Sequence, residues 1–117
     1  MTYVDGVVTA VANDRKDEFI AFSKKLTPLF RKLGALQVVD CWGETVPEGK
    51  LTSFPMAVKC GPDETVCFSW MLWPSKAVRD AGWAAFEADP KLAEMMQPAP
   101  FDGKRMIFGG FEVVSEG

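Results

Sequence analysis

Residues Tyr3–Val11 are dominated by β-branched side chains and carry no helical stripe, so the chain is predicted to open with a strand. The period then changes. Asn13-Asp14 offers a helix cap, and Asp14, Asp17 and Glu18 load the first turn with negative charge, where the helix dipole favours it. Apolar residues follow at 19, 22, 26, 29, 30 and 33, a helical spacing that makes one face greasy, with Lys24, Lys25, Arg31 and Lys32 off it or at its edge. Gly34 ends this helix. Pro28 conflicts with the pattern: it removes an amide donor and is expected to kink the helix or divide it near Thr27. Leu36–Thr45 reads as the second strand, closed by a turn at Pro47-Glu48-Gly49. The stretch Lys50–Asp63 holds Pro55, Gly61 and Pro62 and reads as a long structured loop with room for one short turn. Thr65–Trp73 is nearly all apolar or aromatic, the mark of a central strand covered on both faces. Pro74-Ser75 ends it and caps a second helix, Lys76–Ala88. Asp89-Pro90 interrupts, Lys91–Met96 adds a helical turn, Gln97–Gly103 is a proline-rich loop, and Arg105–Val114 is the last strand.

The order βαββαβ predicts an α+β domain of the ferredoxin-like kind, a four-stranded antiparallel sheet with two helices on one face. Strand residues alternate sides, so Tyr3, Asp5, Val7 and Thr9 share one face and Val4, Gly6, Val8 and Ala10 the other. Neither set is plainly polar. The face without helices is therefore expected to be bare, apolar and too large for a stable monomer. The economical cover is the same face of a second copy, a homodimer.

Composition changes this picture mainly through what is missing. At 117 residues, 48% hydrophobic and 25% charged, the chain has the means to build one core over residues 1–117 without disulfide or metal staples. The start lacks a basic region followed by an apolar stretch, so residence in the cytoplasm is the expectation. No apolar run approaches the ~20 residues of a membrane span. The net charge of −3, with basic residues scattered, disfavours nucleic acid as a partner, because phosphate backbones are bound through clustered Lys and Arg. Cys41, Cys60 and Cys67 match no zinc spacing and read as free thiols. There is no histidine. That removes the usual proton shuttle, the Ser-His and Cys-His nucleophiles, and imidazole ligation of zinc or haem iron. No metal or cofactor is expected, and any catalysis falls to carboxylates, Lys, Tyr, Cys, backbone amides or the substrate itself.

Among candidates for chemistry, Asp5, Asp40 and Glu112 share a strand phase that brings them near one another, and a buried acid gains basicity suited to acid–base work. The plain alternative is structural pairing with Lys59, Lys104 or Arg105, or solvation at strand ends. On the second helix, Val78, Ala81, Gly82 and Ala85 make a small face expected against the sheet, with Trp83 pointing away from it beside Arg79. Trp83 then packs under a loop or contacts a ligand or a second copy. Cys41 follows Asp40, which opposes thiolate formation, so Cys41 and Cys67 read as small buried hydrophobes. Ser53 and Ser69 have no histidine to activate them. Asp102-Gly103 is a turn signal, and Lys104 and Arg105 beside it form an alternative anion clamp. Gly109-Gly110 suggests a bulge or a close backbone approach, and Met95-Met96 core filling.

Several blocks carry a resemblance: Thr52-Ser53-Phe54-Pro55 with Val58-Lys59, Glu64-Thr65-Val66 with Phe68-Ser69-Trp70, and Pro100-Phe101-Asp102-Gly103-Lys104-Arg105-Met106 with Gly109-Gly110-Phe111-Glu112. Together with Tyr3-Val4-Asp5-Gly6 and the Ala88-Asp89-Pro90 break, they resemble the YbaA-like family of small uncharacterised bacterial proteins. The resemblance implies a dimeric α/β-barrel domain and no particular activity. More distant groups of that fold include cofactor-independent monooxygenases, haem enzymes and small-molecule isomerases, and fold analogy alone does not choose among them. Three readings follow. One is binding of a small hydrophobic or aromatic molecule between sheet and helices, with Trp42, Trp70, Arg79, Trp83 and Lys104 as ligand contacts and Trp73 as a further wall. Another is a cofactor-independent monooxygenase or isomerase, with Asp5 or Asp40 as base and Arg105 holding an anionic substrate group. The last is a non-enzymatic interaction module that meets its partner through Lys50–Asp63.

Overall fold

The computed structural model describes residues 1–117. Strand β1 (Tyr3–Ala12) leads through one turn of 3-10 helix, Asn13–Arg15, into helix α1 (Lys16–Lys32). Strand β2 (Gln37–Trp42), the short helix α2 (Phe54–Ala57), strand β3 (Glu64–Trp73), helices α3 (Lys76–Ala88) and α4 (Pro90–Met95), and strand β4 (Ile107–Glu112) complete the order. The sheet runs β2-β3-β1-β4 and every neighbouring pair is antiparallel. This is the ferredoxin-like arrangement expected from the element order.

Local chemistry explains most boundaries. Ser53, Ser75 and Asp89 each accept a backbone amide one turn into the helix they precede, from Met56, Val78 and Lys91. The cap expected of Asn13-Asp14 does not form; no side chain caps α1, and Asn13 instead accepts the Thr65 hydroxyl at 2.5 Å. Pro28 does not divide α1, which runs unbroken past it while Thr27 donates its hydroxyl to the Ser23 carbonyl. β2 stops at Trp42, earlier than its hydrophobicity suggests. Gly43 passes so close to β3 that an added Cβ would lie 2.4 Å from the Val66 carbonyl oxygen. The Gly109-Gly110 pair is not a bulge, because the β1–β4 register runs regularly from Tyr3↔Glu112 to Val8↔Ile107. The reason for glycine is close approach: a Cβ on Gly110 would meet the Tyr3 hydroxyl at 2.6 Å.

Register assigns the faces. Tyr3, Asp5, Val7 and Thr9 of β1 stand level with Trp73, Met71, Ser69 and Cys67 of β3, and the last three of these with Val38, Asp40 and Trp42 of β2. This is the helix-covered face. Its main core is Leu26 and Phe30 of α1, Ala35, Trp73 and Phe86 of α3. The opposite face is not wholly bare, as the alternation alone implied. Val58, just after α2, is fully buried against Val8, Ala10 and Val66, so the end of the Lys50–Asp63 stretch folds back over one end of its own sheet. Arg105 holds that cover in place by forking Glu64 at 2.7 and 2.8 Å while donating to the Lys59 carbonyl. The rest of that face is open. β3 is consequently covered on both faces only near its start, and Phe68 is 41% exposed.

Candidate functional site

Between α1, α3 and the covered face lies a cavity of about 480 Å³. β1, β2 and β3 supply its floor through residues such as Val7, Val38 and Met71, and Phe22, Leu26 and Trp83 supply its roof. The lining is mostly apolar, with two polar poles.

The first pole is built around Asp5, which is 6% exposed. α3 places Arg79, Gly82, Trp83 and Phe86 at the i, i+3, i+4, i+7 spacing of one helical stripe. This stripe, not the one through Ala81 and Ala85, faces the sheet: Gly82 and Phe86 are buried and both alanines are exposed. Trp83 therefore points inward, against the expectation that it points away. Its ring centroid lies 5.1 Å from that of Phe30, and its indole nitrogen donates to Asp5 Oδ2 at 3.0 Å. Trp73 donates to the same oxygen at 2.9 Å. Arg79 donates from Nη2 at 2.8 Å and from Nε at 3.1 Å to Oδ1. Asp5 raises the basicity of the Arg79 guanidinium above its ordinary value, chiefly through these hydrogen bonds. The four lone-pair sites of a carboxylate are thereby filled, and none is left for a substrate proton. The partner that the sequence reading missed is Arg79; Lys59, Lys104 and Arg105 are not near Asp5.

The second pole is Asp40. It stands opposite Ser69 in the β2–β3 register and beneath Ser23 of α1. Ser69 donates to Oδ1 at 2.6 Å and Ser23 donates to Oδ2. Asp40 forms no ion pair, and Glu87, also on the cavity wall, forms neither an ion pair nor a side-chain hydrogen bond. Ser23 was not singled out from sequence, yet it left a signal: a hydroxyl between Phe22 and Leu26 on an otherwise greasy stripe.

The other candidates lie elsewhere. Arg105 is not on the cavity; it is spent on Glu64 and Asp102, and Lys104 sits exposed in the same turn. Glu112 shares the helix-side phase but is exposed on the edge strand β4. Trp42 packs on Phe19 with the Lys16 ammonium 5.3 Å above its ring, away from this cavity. Trp70 borders the cavity, but strand alternation turns its indole to the open face, where it donates to Gln37 at 3.0 Å. Cys67 is a buried thiol, pushed up to about 12 by burial, whereas Cys41 is only half-buried on the open face.

With this geometry in hand, the family described as "Protein of unknown function (DUF1428)" matches residues 2–103. The chain belongs to this family. It is 51% identical over 114 residues to the uncharacterised protein YbaA of Escherichia coli K12, covering 97% of each chain, and equally identical to the YbaA of Shigella flexneri. The family is thus the one its sequence blocks resemble. Solved structures share the fold at much lower identity. A dimeric ferredoxin-like protein from an uncultured marine organism superposes with a TM-score of 0.62 at 12% identity over the whole of both chains. SnoaB, a cofactor-independent oxygenase from Streptomyces nogalater, gives 0.60 at 11% identity over 97% of this chain and 95% of its own. A putative antibiotic biosynthesis monooxygenase from Bacillus cereus gives 0.54 at 9% identity, covering 99% and 96% of the two chains. For this family member the likeness fixes the architecture and leaves the activity to its own residues. No helix is long and apolar enough to cross a membrane.

Proposed function

We propose that the protein binds a small, largely apolar molecule in the cavity between sheet and helices, and that it does so as a homodimer. The observation that carries this is the cavity itself. About 480 Å³ of space lined mainly by aromatic and aliphatic side chains, with a few convergent polar groups, is the composition of a small-molecule site. The cavity opens to solvent past Asp40, Glu87 and Phe108, so without an occupant its apolar walls face water, which is a costly arrangement. Trp83 on its wall makes intrinsic fluorescence the natural reporter. A panel of aromatic compounds should include one that shifts the emission and raises the melting temperature. Val38→Phe, which projects bulk into the same space, should abolish that response while the protein stays folded. A panel that moves neither signal counts against the site.

Support for the dimer comes from the open half of the sheet. Phe68, Ile107 and Phe111, at 41, 44 and 59% exposure, sit on one side of adjacent strands around Gly6 and Gly109. Such a patch calls for a cover, and two structures with this fold are described as dimeric, that from the marine organism and one from Jannaschia.

A second reading, cofactor-independent oxygenation or isomerisation, is favoured by Asp40. It is an exposed carboxylate at the edge of the cavity whose oxygens keep lone pairs open to a substrate, which Asp5 lacks. Oxygen uptake with electron-rich phenols, lost in Asp40→Asn, would favour turnover over binding alone.

A further inference from the structure

We infer that the cavity selects ligands that bring a hydrogen-bond donor, and in particular a protonated amine on an apolar or aromatic skeleton, over carboxylates and phosphates. This rests on the cavity being a binding site and concerns what enters it. The wall carries four charged side chains: Asp5, Asp40, Glu87 and Arg79. The only cation among them is committed. Arg79 forks Asp5 through Nε and Nη2, and its Nη1 donates to Asp80 at 3.1 Å. Its charge is cancelled at the spot, so it offers an anionic ligand little attraction.

The acids are not balanced in the same way. Asp40 has only the two serine hydroxyls for company, and each of its oxygens keeps a lone pair after accepting one of them. Glu87 has no partner at all among the ion pairs and side-chain hydrogen bonds. No lysine lines the cavity; the nearest ammonium described, that of Lys25, lies 5.6 Å above the ring of Phe22 in the roof and neutralises no acid there. The cavity therefore presents acceptors and a net negative charge, carried by the exposed carboxylates of Asp40 and Glu87 at its wet edge, beside otherwise apolar walls. A bound carboxylate would meet like charge and no free donor. A bound ammonium would meet Asp40 at one pole, and its apolar skeleton would lie along Phe22 and Phe101, which pack edge to face 5.8 Å apart.

Three probes of one skeleton separate the possibilities: 2-phenylethylamine, 2-phenylethanol and 3-phenylpropionate, titrated into the wild-type protein by calorimetry at low salt. The amine is expected to bind at least tenfold more tightly than the carboxylate, with the neutral alcohol between. Asp40→Asn should cut the amine-to-alcohol ratio at least fivefold while leaving the alcohol's affinity within twofold. Glu87→Gln, on an exposed helix position, repeats the measurement should Asp40→Asn disturb the fold, and should reduce the same ratio. Binding of the alcohol with no advantage for the amine, or tighter binding of the carboxylate, overturns the inference and spares the cavity. Failure of all three probes to bind overturns both.

Discussion

Replacing Asp5 by Ala would leave the indole nitrogens of Trp73 and Trp83 with no acceptor and the Arg79 guanidinium with only Asp80 on its outer side. Breaking one side of a buried pair costs about 3–5 kcal/mol, because the abandoned charge stays behind. Asp5→Ala is expected to lose that much in urea unfolding, and a loss under about 1 kcal/mol would mean the cluster is not what holds α3 to the sheet. Glu64 makes a second prediction at this scale. Its side chain is held at about 2, first by hydrogen bonds from Arg105 and then by the Gly61 amide. The unfolded chain takes up that proton near the ordinary carboxylate value, and the folded one only at lower pH. The stabilisation is therefore complete above about pH 5 and drains away as the pH falls toward 2. Glu64→Gln should accordingly cost more at pH 6 than at pH 3, as read by paired denaturation curves. Which acids carry charge was legible in the sequence, but which cation each one meets was not. Asp5 and Arg79 are 74 residues apart, and only the register of β1 on β3 and the rotation of α3 bring them together.

At the level of elements, order and type follow from the apolar periods, and the exceptions have physical causes. α3 is the instructive one. Its small residues suggested one buried face, yet the buried stripe is turned to include Arg79 and Trp83, because a polar group waiting in the sheet outweighs two alanines. Gly82 is what lets this stripe close. An added Cβ would sit 2.9 Å from the Trp73 ring and 3.1 Å from the Leu33 carbonyl oxygen. Glycine-to-alanine changes in exposed helices gain about 1 kcal/mol. Gly82→Ala should do the opposite and lower stability by about 1–3 kcal/mol through overpacking. A melting temperature above that of the wild type would contradict the packing described. Ala81 and Ala85, one step away on the exposed side, should accept larger residues without loss. The cavity itself left little trace in the pattern, since a residue lining a void and one filling a core are both written as apolar letters.

For the whole molecule, the open half of the sheet decides the state in solution. The protein is expected to elute at about twice 12.9 kDa, and Phe111→Asp, which places charge on that face, should shift it toward a single chain. A wild-type protein that remains a lone chain at micromolar concentration would remove the dimer. That the face needs cover was readable from strand alternation; that Val58 already covers one end was not, because the cover comes from a loop whose letters carry no period. The grip on Asp5 also reaches into synthesis. Its partners stand 68, 74 and 78 positions further along, so as the chain leaves the ribosome this anion remains hydrated until the last third has emerged. A nascent fragment ending before Trp73 holds β1, α1, β2 and nearly all of β3 but none of the three donors to Asp5 and no α3 to close over the sheet, and should stay open to proteases until those segments arrive.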